Sequence, residues 1–354
     1  MTETATHPLL DGRTDHSALI RALRGERPER TPVWFLGQAG PSLPEHELLT
    51  AGRSSLECSL HPAVVSALTV QPVERYGVDA AVYAGDPLVA LRLAGIEINL
   101  VDGQPVIAQP VRTALDVIHL RPIDPAVLDP IRAGAALAAE RLGSTPLIAL
   151  AIAPYTLASH LVEGGPSIDQ AHTRALMVRD PQTWASLLNW CADVTGQYLR
   201  AQLEHGASAG ILIDPFVGTL SRKDYFKRVA PHTQRAISHA RGLPMPIIHF
   251  GLGTGEFLDV LGAVGVSAIG VDWRVPLDTA IERTERLLPV QGNIDPAFLT
   301  APWRLLRAHL ADILERGAGA PAHIVSLGDT LPATADPEVL ARIVQYIHGE
   351  LPEE

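Results

Sequence analysis

Polar side chains that can hold charge, move protons or bind a ligand recur just after short apolar runs in this sequence. They are Gln38, Asp86, Tyr155 and His160, Asp214, His249, Asp272 and Arg274, Asn293 and Asp295, and Asp329. The set is rich in carboxylates and poor in cations. Carboxylates aimed at one site stabilise positive charge as it develops. A histidine adds a group that titrates near neutral pH and can act as acid or base. Asp86, His160, Asp214, His249 and Asp329 are also metal-ligand types. No two of them stand at tight ligand spacing, and Cys58 and Cys191 have no neighbouring His-x-Cys pattern. The expectation is a site without a metal.

The elements that must position these groups read as alternating strands and helices. Short apolar runs that end in polar, Gly or Pro residues mark buried parallel strands. They cover residues 32–36, 79–84, 147–153, 209–213, 246–250, 268–273, 288–291 and 323–327. Helical stretches lie between most of them, at 181–205, 223–241, 255–264, 277–287 and 301–316, with a last helix at 337–349. Eight βα units predict an α/β fold of the (β/α)8 TIM-barrel type, whose chemistry sits where strands end. The turn after the first run is Gly37-Gln38-Ala39-Gly40-Pro41, which is not the G-x-G-x-x-G of a dinucleotide site. Gly251-Leu252-Gly253-Thr254-Gly255 opens a helix and reads as backbone architecture rather than an anion cradle. Residues 97–100 and 105–108 flank Val101-Asp102-Gly103-Gln104, an Asp-Gly hairpin signal. This predicts a β-hairpin insertion after the second strand. The expected organisation is a flexible N-terminus over 1–14 and a single barrel domain over 15–354.

Composition excludes several classes. Net charge is −11 with no Lys/Arg-rich run, the wrong sign for nucleic acid or an anionic membrane surface. No apolar run approaches the roughly 20 residues of a membrane span. Two cysteines without a Cys-x-x-Cys, and a polar start without an apolar signal core, point to a cytoplasmic setting.

The strand ends also carry a family likeness. Arg30-Thr31-Pro32-Val33-Trp34-Phe35-Leu36, Gln38-Ala39-Gly40, Leu43-Pro44-Glu45, Gly77-Val78-Asp79 leading to Asp86, and Val162-Glu163-Gly164-Gly165 resemble the uroporphyrinogen decarboxylase family. So do His249-Phe250-Gly251, Gly270-Val271-Asp272-Trp273-Arg274 and Gln291-Gly292-Asn293-Ile294-Asp295-Pro296, in order and spacing. The resemblance runs from about residue 15 to 350. It implies a barrel that dimerises through its active-site face. It also implies a lyase that removes carboxylates from acetate arms of a tetrapyrrole with no cofactor. Asp86 matches the family aspartate that holds pyrrole NH groups and stabilises charge on the ring.

Other positions depart from the family. Its two signature arginines fall on Gly37 and Pro41, its tyrosine on His160, its serine on Pro215 and its histidine on Asp329. A guanidinium that pairs with a carboxylate is hard to replace. Each lost charged hydrogen bond costs about 1.5–3 kcal/mol, so two would weaken a polycarboxylate on the order of 10²-fold or more. The expectation is a carboxy-lyase or proton-transfer enzyme acting on a smaller, less anionic, NH-bearing substrate. Asp86, His160 and Asp329 are the candidate catalytic residues. Gln38, Tyr83, Tyr155, Asp214, His249 and Arg274 are the candidate substrate-binding set. The alternatives are a non-catalytic ligand- or partner-binding barrel, and a genuine uroporphyrinogen decarboxylase of haem biosynthesis. The latter would draw cations from Arg21, Arg24 or Arg53.

Overall fold

The computed structural model describes residues 6–101 and 103–351. Among the described residues nine strands are formed: β1 (Ala81–Val82), β2 (Ile98–Val101), β3 (Gln104–Ile107), β4 (Leu147–Ile152), β5 (Ala209–Asp214), β6 (Ile247–Gly251), β7 (Ala268–Gly270), β8 (Val290–Gln291) and β9 (His323–Ile324). Seven make one parallel sheet in the order β1-β4-β5-β6-β7-β8-β9. β4 is buried along its whole length and β5 at all but Ile213. Their Ile, Leu and Ala side chains face the barrel interior on one side and helices on the other, as parallel sheets require. The predicted α/β barrel is therefore formed.

The first predicted strand, 32–36, differs from expectation. It appears as one parallel bridge, Val33 to Val325. Pro32 has no N–H to give, the Phe35 N–H is taken by the Gln38 side chain, and Gly37 turns away at φ +79°. The segment still closes the ring. Asp79 N–H donates to the Val33 carbonyl, Trp34 N–H to the Val325 carbonyl, and Val325 N–H to the Pro32 carbonyl.

The predicted hairpin is present as β2 and β3, antiparallel, with Val101 opposite Gln104. Asp102 lies outside the described residues, and Gly103 has φ +76°. The predicted helix 223–241 is two helices, Arg222–Arg228 and Ala230–Ser238. Pro231 has no N–H for a continuous helix and suits the first turn of a new one. Of the N-terminal stretch, residues 1–5 lie outside the described residues. Beyond them, the His7 ring bonds the Leu203 carbonyl, Leu9 is buried, and Thr14 bonds Ser208. No helix among the described residues is long and apolar enough to cross a membrane.

Candidate active site

A cavity of about 330 Å³ opens at the C-terminal ends of β1, β4 and β5, between the barrel and the hairpin. Asp86, Ile152, Thr156, His160, Ile213 and Pro215 line its barrel side; Leu100, Gly103 and Pro105 of the hairpin cover it. The hairpin is fastened there. Ile107 N–H donates to the Gly164 carbonyl and Val111 N–H to the Leu161 carbonyl. Gly164 ends the helix Pro154–Glu163 at φ +82°, and a Cβ there would lie 2.6 Å from Pro110 Cγ. Only glycine meets both demands, the left-handed turn and the close approach.

Asp86 is partly buried and both its carboxylate oxygens are held. Leu88 N–H donates to one at 2.8 Å, and the Ser55 hydroxyl donates to the other in a short bond. Its own N–H donates to Ser59 Oγ at 2.6 Å. Ser55 and Ser59 sit on a short helix fixed by a capping box between Ser54 and Glu57. These bonds fix the orientation of the carboxylate at the cavity wall, as pre-organised electrostatic groups require. Sequence reasoning missed Ser55 and Ser59. The Ser54-x-x-Glu57 spacing is a capping-box signal that could have placed the helix, but nothing local says that it packs under Asp86.

His160 stands on the helix Pro154–Glu163 with its ring 5.1 Å from the Phe216 ring, centre to centre. Burial pushes its imidazole down to about 4. This corrects the expectation of a group titrating near neutrality. The ring is neutral across the physiological range, with one nitrogen donating and one accepting. The unfolded ring titrates near its ordinary 6.5. Above that pH both states carry the same neutral ring. Below it the unfolded chain takes up a proton that the folded site refuses, so stability falls as pH drops from 6.5 toward 4. His160→Phe is therefore expected to lose about 2 kcal/mol less than the parent by pH 4.5. Superimposable urea-denaturation midpoints for the two proteins at pH 4.5 and 7 would refute this.

The remaining candidates are placed elsewhere. Asp329 is partly buried after β9 and accepts from the Thr330 N–H; it is not among the residues lining this cavity. Gln38 is fully buried, accepting from Phe35 N–H and donating to the Ala80 carbonyl. It fixes the loop and, being fully buried, presents no surface to a substrate. Tyr83 is fully buried behind the sheet, its hydroxyl next to Gly134 and Ile131. Tyr155 is also buried, edge-on to Trp184 and bonded to Thr219, and burial pushes its phenol up to about 12. These three positions correct the substrate-binding expectation.

Asp214 and His249 are fully buried neighbours, 3.7 Å apart between Oδ2 and Nε2. Thr156 Oγ1 donates to Asp214 at 2.5 Å. Thr156 thus links this pair to the cavity wall without exposing it. Arg274 is half exposed, stacked on Trp273 at 4.4 Å and 3.8 Å from Asp272. Asp272 is chiefly a loop fastener, accepting from the N–H groups of Gly253 and Arg274. The Gly251–Gly255 segment is thereby held as architecture.

No arginine or lysine is among the described residues that line the cavity. Arg21 and Arg24 pair with Glu26 and Asp15 beside the helix Ala18–Leu23. That helix packs against β9, and the following Gly25 lies against Pro321, just before the strand. They sit at the opposite end of the barrel and supply no cation to this site. Arg53 is exposed two residues before Ser55. Among the described residues no three His, Cys, Asp or Glu side chains converge to hold a metal ion.

With this geometry established, known proteins provide a comparison. The family model described as "Uroporphyrinogen decarboxylase (URO-D)" matches residues 14–350. A "Uroporphyrinogen decarboxylase" of Arthrobacter sp. is 48% identical over 345 residues, covering 97% of this chain and 100% of that protein. One of Leifsonia xyli is 46% identical, covering 97% of each. Among solved structures, a methyltransferase from Methanosarcina mazei superposes with a TM-score of 0.79 at 18% identity, covering 94% of this chain and 97% of that one. This last likeness concerns the fold alone.

Proposed function

This chain belongs to the uroporphyrinogen decarboxylase family and is an enzyme of the lyase class, and we propose that it removes carboxylate from a substrate built of NH-bearing pyrrole rings. The observation that carries the reading is Asp86, a carboxylate held at both oxygens in the wall of a cavity whose other described polar lining is Ser55, Thr156 and His160. When an acetate arm on a pyrrole loses CO2, the bonding electron pair flows into the ring. A ring protonated on carbon can accept that pair, and its positive charge then lies on the NH that Asp86 would face. A fixed carboxylate stabilises that charge where it forms. Neutral His160 offers a donor or acceptor beside the ring and no net charge. Protonation of the resulting exocyclic methylene gives a methyl group, and loss of the proton first added to the ring carbon restores the pyrrole, so that one proton from solvent replaces each CO2.

Uroporphyrinogen, named in the relatives at 48% and 46% identity, is the first substrate to test. A second reading, a smaller and less anionic pyrrole, is favoured by one observation. No arginine or lysine is among the described residues of the cavity wall, and Gly37 and Pro41 stand where the resemblance places arginines. Octacarboxylate binding would lose the pairing that guanidinium groups give.

Purified protein incubated anaerobically with uroporphyrinogen III, with products separated by carboxylate number, decides between them. Stepwise loss of carboxylates supports the first reading. No change there, with CO2 released from a pyrrole bearing one or two carboxylates, supports the second. Inertness toward both overturns the proposal.

A further inference from the structure

Beyond His160 lies a second chamber of about 190 Å³, large enough for several waters. Glu163, Ser167 and Phe216 line it, with Gln104 of the hairpin and Pro166 at its edge. Gln104 and Pro166 are exposed, so the chamber opens to solvent. The chamber and the Asp86 cavity share two described residues, Pro105 and His160. Proline carries no proton to exchange. His160 is therefore the group between the two spaces that can take a proton from one and give it to the other.

The imidazole is free for that work. It is partly exposed, and burial alone acts on its proton affinity, with no charged or hydrogen-bonding neighbour contributing. The contrast is His249, whose two ring nitrogens are both sealed within the fold. The Phe216 ring packs against His160 at a tilt, 5.1 Å from centre to centre, and so supports the imidazole without occupying its nitrogens. The chemistry needs such a group. Loss of CO2 into the ring begins with a proton on a ring carbon, and a positioned acid speeds a proton transfer by about 10²- to 10⁴-fold. Asp86 does not serve, because it accepts from the Leu88 N–H and the Ser55 hydroxyl and has to remain a carboxylate to oppose the charge on the ring.

We propose that His160 is the proton donor to the substrate ring, supplied with solvent protons through the chamber behind it. The proposal rests on reading the Asp86 cavity as the site of that ring. A solvent proton reaches the chamber-side nitrogen and makes the imidazolium. Its cavity-side N–H bond then breaks as the new C–H bond forms on the ring. The positive charge moves to the ring, opposite Asp86, and the imidazole is neutral again. One proton has passed from solvent to carbon, and His160 is unchanged. Burial makes the imidazolium a stronger acid than an ordinary one, which favours transfer to carbon.

The test follows deuterium entering 2,4-dimethylpyrrole, a ring with free carbons and no carboxylate, on the full chain in D2O near neutral pD. Loss of the ring C–H signals in proton NMR reports ring protonation without any release of CO2. The parent protein is expected to exchange these positions faster than buffer alone. His160→Gln keeps a hydrogen-bonding amide but cannot carry a proton, and should lower the protein-dependent rate about 10²-fold or more. His160→Ala should fall as far, and should recover in proportion to added imidazole, which can enter from the chamber. His160→Phe fills the space and should not recover. A purely structural role for His160 predicts no such recovery. Melting curves show which of the three variants are folded, and any folded one carries its own comparison with the parent. Exchange by the parent no faster than buffer overturns the proposal. So do a parental rate in His160→Gln and a His160→Ala rate that ignores imidazole. Exchange that depends on His160, with no CO2 released from any pyrrolic carboxylate, upholds the donor and overturns only the carboxy-lyase reading.

Discussion

Asp86→Asn is expected to lower turnover on whichever pyrrolic carboxylate the protein accepts by roughly 10²- to 10³-fold, the range seen when one pre-oriented electrostatic group is removed. The argument turns on what the substitution keeps. Asparagine presents an oxygen to the Leu88 N–H, and its amide can still meet the Ser55 hydroxyl. Asp86 N–H still donates to Ser59 Oγ. The loop therefore stays in place, and the melting temperature should move little. What is lost is the negative charge opposite the ring NH. That charge matters most after the ring is protonated, so the loss should fall on kcat more than on KM. Steady-state CO2 release and thermal melting measured on both proteins check this. A turnover loss below tenfold, or an equal loss in binding alone, would remove Asp86 from the electrostatic role.

Much of the architecture was legible because burial on two faces leaves a local trace. Residues 147–153 and 209–213 read as apolar runs, and the structure forms β4 and β5 there. The Asp-Gly pair set the hairpin to within a residue at each end. The first strand was overestimated because apolarity records burial and not hydrogen bonding. Pro32 and Gly37 bracket a segment that packs as a strand does while making few ladder bonds.

The site was less legible, and the reason is direction. Side chains alternate along a strand. From Val82, which runs with the inward row that leads to Asp86, Tyr83 must point outward, where it meets Gly134 of the helix Asp129–Leu142. That period-two count was available in the sequence and would have removed Tyr83 from the site. Gln38 could not be settled this way. Its amide is consumed by Phe35 and Ala80, and the Ala80 contact exists only once strands are side by side. Ser55 is likewise a product of long-range packing. The His160 ring was recognised, but its charge state follows from burial and from Phe216, which no local pattern reports.

The same rim supplies the largest stability effect. Gly328→Ala is expected to destabilise the fold by about 3 kcal/mol or more, the upper range for overpacking a site that cannot relax. A Cβ at Gly328 would run into the Trp273 backbone nitrogen and stand 2.6 Å from its Cα and 2.7 Å from its Cβ. Trp273 cannot retreat easily. Its N–H donates to the Gly328 carbonyl, and Gly328 N–H donates in turn to the Ile294 carbonyl. On the preceding residue, the Asp272 carbonyl accepts from Asn293 and its side chain holds Gly253 and Arg274. The added methyl must therefore break the bond to Trp273 or shift a loop tied at several points. Gly165→Ala is the control, because its nearest neighbour would be Val106 Cγ2 at 3.8 Å and the backbone there needs no glycine conformation. Urea denaturation of the two variants should give a large loss for Gly328→Ala and a change within about 0.5 kcal/mol for Gly165→Ala. Equal, small losses would mean that the Trp273 loop yields, and that the end of β9 next to Asp329 is not rigidly coupled to the end of β7.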